Sequence, residues 1–172
     1  MPPQMGLHLH TPAIPVATEV APGWWLGGRY SHHLGLKWSG VLDCTCEFPE
    51  MAACEAPTPP AVGSESEFDA RLTQAYRLLP LWDGCAPKAE ELDAAARFVA
   101  ERKQTGPVLV HCAHGRGRST CCLVASMVRA GEHATWEEAF AAVKQVRTCV
   151  SLNAGMRKCL TEWQDKFVTK KA

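Results

Sequence analysis

The sequence predicts an α/β fold in which a mostly parallel sheet is covered on both faces by helices. Three observations predict it. Short apolar runs of strand length, among them Val41-Leu42 and Val108-Leu109-Val110, are bounded by glycine and proline. Between and after them come longer segments whose apolar residues recur at helical spacing, the alternation expected of parallel strands with covering helices. The 172 residues are 47% hydrophobic and 21% charged, which is about one domain with enough apolar mass to form a core without disulfide or metal staples.

Residues 1–22 are proline-rich and lack periodicity, and read as a loose arm that packs only at its end. Trp24-Trp25-Leu26 before Gly27-Gly28 read as a short strand and a turn. Ser39–Cys46 reads as a buried strand, residues 54–65 as a loop of Pro, Gly and Ser, and Glu67–Ala75 as a short helix. Tyr76–Leu79 reads as a strand ended by Pro80. Pro87 suits a first helical position. Behind it Leu92, Ala95, Ala96 and Val99 lie at i, i+3, i+4 and i+7, on one face of a helix that Gly106 closes. After Val108–Val110 comes a glycine-rich loop, then a helix from about Arg116 to Ala130. Trp136, Phe140 and Val143 mark another helix, and Met156, Leu160, Trp163 and Phe167 the last.

Charge and cysteine content narrow the function classes. Lys+Arg and Asp+Glu both number 18, so no net charge draws the chain to nucleic acid or an anionic membrane. No stretch has the length and apolarity of a spanning helix, so stable membrane insertion is not expected. The first 28 residues hold no Lys or Arg, unlike a secretory signal or an Arg-rich transit peptide. Nine cysteines, an odd number without a leader, read as free thiols in a reducing cytoplasm. Trp38–Ala70 carries seven acids and no Lys or Arg, and Lys144–Ala172 seven bases and two acids; both read as solvated faces. Cys44-x-Cys46 with Cys54 lacks zinc spacing.

The chemistry concentrates in His111-Cys112-Ala113-His114-Gly115-Arg116-Gly117-Arg118-Ser119-Thr120. A strand ends, a loop with two glycines follows, and a helix begins. Loop N–H groups can turn inward as a nest, and the helix N-terminus adds positive potential. Gly115 and Gly117 permit the positive φ and close approach a nest requires. Arg118 can present a planar fork to two phosphate oxygens. An environment that holds a phosphate dianion also holds a thiolate, so Cys112 reads as a nucleophile facing a phosphoryl group. Ser119 can donate to the sulfur and improve it as a leaving group. His111 reads as orienting the loop rather than as a base.

This decapeptide resembles the H-C-x-x-G-x-x-R-S/T signature of the cysteine-based protein tyrosine phosphatase superfamily, with every fixed position present. The segment Leu81-Trp82-Asp83-Gly84 is similar to that family's mobile acid loop, without the proline of Trp-Pro-Asp. Asp83 stands 29 residues before Cys112 (112 − 83), a separation like that of the small dual-specificity branch. The terminal segment with Val146-Arg147, Ser151-Leu152-Asn153 and Met156 is similar to that branch's last helices. The resemblance spans 23–168, leaving 1–22 as an arm and 169–172 as a tail.

The resemblance implies a three-layer, phosphatase-type α/β fold, a phosphocysteine intermediate, and no metal or cofactor. It implies Cys112 as nucleophile, Arg118 as phosphate ligand, Asp83 as general acid, and Ser119 and His111 in support. Ala113, His114, Gly115, Arg116 and Gly117 would line the phosphate site with Arg118. The expected substrate is a phosphoprotein or a phospholipid headgroup, with no nucleic acid. Arg116 is like the extra basic residue of relatives acting on phosphoinositides, against the alternative that it points to solvent. His114 is similar to the loop of RNA 5′-triphosphatases. A phosphate-binding pseudophosphatase or scaffold is the other class weighed, although Cys112, Arg118 and Asp83 are all present. A rhodanese-like Cys-loop enzyme would lack the distant acid loop. Cys44, Cys46 and Cys85 are candidate disulfide partners for an oxidised Cys112, against the simpler reading of ordinary thiols. Trp82 is placed to help position the acid loop.

Overall fold

A computed structural model describes residues 13–47 and 76–169. Five strands form one sheet in the order β1-β2-β5-β3-β4. They are β1 (Ala17–Ala21), β2 (Trp24–Gly27), β3 (Gly40–Asp43), β4 (Tyr76–Leu78) and β5 (Val108–His111). The β2–β5, β3–β5 and β3–β4 pairs are parallel, and β1 runs antiparallel against β2. Residues of β3 and β5 are buried at every position, as expected where both faces of a parallel sheet are covered.

Four helices follow the sequence's apolar spacing: α1 (Ala89–Lys103), α2 (Arg118–Arg129), α3 (Trp136–Val146) and α4 (Ala154–Phe167). Thr135 caps α3 by accepting from the Glu138 amide, and Asn153 caps α4 by accepting from the Met156 amide. Helices α1, α2 and α4 pack against one another, and a buried carboxylate ties them. Asp93 of α1 accepts from Trp163 Nε1 of α4 at 3.1 Å and pairs with Arg129 of α2 and with Arg97. Leu92, Ala95, Ala96 and Val99 of α1 lie in the core with Leu123, Val124 and Met127 of α2 and Leu160 and Trp163 of α4.

Three local expectations change. Part of the segment expected to be a loose arm is β1, where Val20 turns into the core and Thr18 and Glu19 pair with Leu26 and Trp25; a short edge strand needs little periodicity of its own. Pro87 precedes the cap Lys88 instead of starting α1, and the Lys88 amide donates to Glu91 at 2.9 Å. Helix α2 begins at Arg118, so Arg116 and Gly117 belong to the loop before it. The expected loop 54–65 and helix 67–75 lie outside the described residues.

The topology gathers the loops that follow β3, β4 and β5 at the carboxyl edge of the sheet, where open α/β sheets bind ligands. Those loops carry Glu47, Asp83 and Cys112.

Candidate active site

Strand β5 is the middle strand of the sheet, and its last residue, His111, is 1% exposed with Nε2 3.9 Å from Asp43 Oδ1. Asp43 also accepts from the Thr45 amide, the Thr45 hydroxyl and the Tyr76 hydroxyl. The strand end is thereby fixed to β3 and β4 before the chain enters the loop at Cys112.

The loop from Cys112 to Gly117 turns sharply against β2. Gly115 has φ +64°, a left-handed conformation that favours glycine. A Cβ there would stand 2.5 Å from the backbone of Gly27, and one on Gly28 would stand 3.0 Å from the Ala113 carbonyl. Glycine at both places lets two backbones meet. Gly117 was also expected to supply positive φ; it sits at φ −120° instead and begins α2 as its cap.

Cys112 is buried, with Sγ 3.1 Å from Ser119 Oγ. Burial opposes ionisation of the sulfur. It is outweighed by the Ser119 hydroxyl and by the amides of Ser119, His114 and Arg116, which donate to the sulfur and hold its pKa below the ordinary thiol value. A thiolate held by donors in this way can act chemically as a nucleophile.

Arg118 is 2% exposed. Its Nη1 donates to both oxygens of Glu47 at 2.7 Å and to the Leu81 carbonyl at 2.8 Å. Nη2 lies 3.4 Å from Asp83 Oδ1, and buried Nε has no hydrogen-bond partner among the described residues. The guanidinium is thus clamped on one side, and its Nε–Nη2 edge is the side left for an anion. The same pair holds Glu47 far into its ionised form, its pKa lowered to about 2 by the Arg118 hydrogen bond.

The acid-loop residue Asp83 sits in a turn closed by the Cys85 amide donating to the Trp82 carbonyl, with Gly84 at φ +76°. Its side chain is 86% exposed. Asn153 Nδ2 donates to the Gly84 carbonyl at 2.8 Å, so the residue that caps α4 also tethers this turn. Trp82 itself is 69% exposed and packs into no core.

Asp83, Gly84, Cys112, His114, Arg116, Gly117, Arg118, Ser151, Asn153 and Met156 line one cavity of about 220 Å³. Arg116 therefore borders the site, steadied by Nε donating to the Cys149 carbonyl at 3.4 Å, and His114 stands exposed beside it. Of the residues read from sequence, Ala113 and Gly115 shape the loop and His111 supports it from below. Of the thiols considered as redox partners, Cys44 is buried against Cys122, and burial pushes its pKa well up; Cys85 is exposed and Cys46 half-buried. Among the described residues no cluster of three His, Cys, Asp or Glu side chains is placed to hold a metal ion.

Sequence reading did not single out Glu47, Arg147 or Asn153 for the site. Glu47 reaches Arg118 across 71 positions and Asn153 reaches Gly84 across 69, so only the fold brings them together. The one available signal for Asn153 was its place before a helical run, where Asn is a cap.

A family model described as dual specificity phosphatase, catalytic domain, matches residues 60–166. Over 82 residues the chain is 38% identical to a probable rhodanese domain-containing dual specificity protein phosphatase of Dictyostelium discoideum, a match covering 45% of this chain and 17% of that protein. It is 37% identical over 82 residues to dual specificity protein phosphatase 22-A of Danio rerio, covering 47% of this chain and 39% of that protein. Each match thus spans well under half of the relative's length. Among solved structures, human DUSP28 superposes with a TM-score of 0.65 at 19% identity, over 90% of this chain and 96% of that one. PTPMT1 in complex with PI(5)P superposes with a TM-score of 0.68 at 18% identity, over 92% and 100%. At these identities the likeness to the solved structures is one of fold.

Proposed function

Since this chain belongs to the dual specificity phosphatase catalytic-domain family, we propose that it hydrolyses phosphate monoesters in two steps with Cys112 as nucleophile. The observation that carries this reading is Cys112 Sγ, ringed by Ser119 Oγ and loop amides at the floor of a cavity edged by Arg118.

In the first step the thiolate attacks phosphorus as the ester P–O bond breaks. The loop amides and the Nε–Nη2 edge of Arg118 hold the three non-bridging oxygens. Asp83 gives its proton to the departing oxygen, so the alcohol leaves neutral. A phosphate on the Arg118 edge takes over the guanidinium nitrogen that Asp83 now faces, which releases the carboxyl toward the ester oxygen. In the second step Asp83 takes a proton from water as the water oxygen attacks phosphorus. The S–P bond breaks, and the thiolate returns to the Ser119 hydroxyl. The reaction consumes water and needs a reduced Cys112, which fits a reducing compartment such as the cytoplasm.

The substrate class we propose is a phosphoprotein or a phospholipid headgroup. Arg116 borders the cavity beside Arg118, with the His114 ring next to it, and a second guanidinium at the rim favours a ligand with a second anionic group near the scissile phosphate. The fold neighbour PTPMT1 was solved in complex with PI(5)P, which supports the phospholipid headgroup as a substrate class. Among the described residues no helix is long and apolar enough to cross a membrane.

The test is hydrolysis of a generic aryl phosphate by the wild type and by Cys112→Ser. Wild-type turnover, its loss in Cys112→Ser and retained binding of inorganic phosphate are expected. Undiminished turnover in Cys112→Ser overturns the nucleophile assignment, and phosphate binding without turnover in the wild type favours a scaffold. Comparing phosphotyrosine peptide, phosphothreonine peptide, several phosphoinositides and 5′-triphosphate RNA at one pH then sorts the substrate classes.

A further inference from the structure

An anion-binding loop has two sides. If its N–H groups point inward, its carbonyls must point outward, and buried carbonyls need donors of their own. Here the outer side can be followed residue by residue. The Ala113 carbonyl accepts from the Arg29 amide at 3.1 Å, the Arg116 carbonyl from the Ser151 amide at 2.9 Å, and the Gly117 carbonyl from the Cys121 amide at 2.9 Å. The His114 and Gly115 carbonyls, at the tight left-handed turn, are both served by one side chain. Arg147 Nε donates to the Gly115 carbonyl at 2.9 Å and Nη2 to the His114 carbonyl at 3.2 Å.

Arg147 is an unusual choice for so plain a task. It is 2% exposed, and among the described residues no carboxylate pairs with it. Its other nitrogen, Nη1, donates to the Pro15 carbonyl at 2.9 Å and to Thr18 Oγ1 at 2.8 Å, so all four of these acceptors are neutral. A buried cation without a counter-ion is costly. Burial pushes the pKa of Arg147 down, and the Cys149 and Cys112 sulfurs, when ionised, work against that shift; by reciprocity the guanidinium beside the loop favours the Cys112 thiolate. A planar fork also reaches two adjacent carbonyls at once, which a lysine ammonium on its flexible stem does not reproduce.

We propose that Arg147 is the positioning residue of the phosphate loop: from the side away from substrate it holds the His114 and Gly115 carbonyls outward, so that the loop amides face the sulfur and a bound phosphate. It does this while anchored to the N-terminal segment at Pro15 and Thr18, which makes that segment part of the loop's support. The proposal rests on the phosphatase reading above, because it gives the loop an anion to hold.

The experiment reads the loop without requiring turnover. Alkylation of Cys112 by iodoacetamide is followed against pH by peptide mass analysis, and inorganic phosphate affinity is measured on the same protein. In the wild type a Cys112 that titrates like free cysteine sinks the phosphatase reading itself, before any variant is made. In Arg147→Met, folded by circular dichroism, the expected result is a rise of about one unit in the Cys112 midpoint, a tenfold loss of thiolate at a given pH below it. Phosphate affinity should weaken at least as much. Arg147→Lys should recover part of both, since it keeps the charge and one donor. If Arg147→Met does not fold, Arg147→Lys decides, and its midpoint and phosphate affinity should both still depart from the wild type. A folded Arg147→Met with an unchanged midpoint and unchanged phosphate affinity, or in its absence an Arg147→Lys identical to the wild type, overturns the proposal and leaves Arg147 as a tie for the N-terminal strand.

Discussion

Both carboxylate oxygens of Glu47 lie 2.7 Å from a single nitrogen of Arg118, Nη1. The contact joins the end of β3 to the start of α2 and settles which edge of the guanidinium remains for substrate. It leaves Arg118 oriented before any anion arrives, so little side-chain freedom is lost on binding.

That pair carries a pH signature. The folded-state pKa of Glu47 is depressed from its usual 4.5 to about 2, so its contribution to stability is complete above about pH 4.5 and is lost as pH falls through about 2. Glu47→Gln is expected to cost about 1 kcal/mol at neutral pH, the discounted worth of a partly exposed pair. Its thermal midpoint should fall less steeply than the wild type's between those two pH values. Parallel melting curves over that window check it; equal slopes remove the pair as a source of acid sensitivity.

Ser119 faces the sulfur at 3.1 Å. A hydrogen bond to a charged group is worth about 1.5–3 kcal/mol, so Ser119→Ala should raise the Cys112 alkylation midpoint by about one unit. It should slow breakdown of the phosphocysteine more than its formation, because the sulfur then leaves as a less stabilised thiolate. Burst kinetics on an aryl phosphate should show the intermediate accumulating, whereas a burst no larger than in the wild type would place Ser119 outside the second step.

Asp83→Asn removes the proton donor while keeping the size of the side chain. General acid catalysis contributes about 100-fold or more, so kcat on phosphoserine or phosphothreonine peptides should fall by that order. An aryl phosphate with a good leaving group should suffer less in its first step. An alkyl phosphate hydrolysed at the wild-type rate rules Asp83 out as the acid.

Asn153 serves two structures with one amide group, accepting from the Met156 amide and donating to the Gly84 carbonyl. Loss of an Asn cap costs about 1 kcal/mol, which for a domain of this size lowers the thermal midpoint by about 2–4 °C. Asn153→Asp keeps the cap and loses the donor to Gly84. Asn153→Asp should therefore melt near the wild type yet share the leaving-group dependence of Asp83→Asn, and indifference of its kcat to leaving group removes the tether from catalysis.

How much was legible beforehand depends on how local each feature is. Cys112, Arg118 and Ser119 stand in one decapeptide between a strand and a helix, and their grouping needs no tertiary information. Asp83 was legible only through the resemblance of Leu81-Trp82-Asp83-Gly84 to the family's acid loop, taken together with the Cys112 loop, and α1, α3 and α4 by apolar spacing. The roles of Glu47 and Arg147 were not, because a charged residue's partner across the fold leaves no periodic trace. Strand β1 escaped notice for a different reason: five residues at a sheet edge, with Val20 alone fully turned inward, carry too little alternation to separate from a proline-rich approach. Gly117 misled because glycine fits a helix cap as readily as a left-handed turn.

The exposure of Trp82 has a practical sequel. Trp24, Trp136 and Trp163 are buried, and Trp25 and Trp38 meet edge to face at 5.5 Å, whereas the indole beside Asp83 stands 69% in solvent. Its fluorescence is open to acrylamide collision in a way the enclosed indoles are not. The chain thereby carries its own optical gauge of the acid turn, readable without a label as oxyanions fill the cavity.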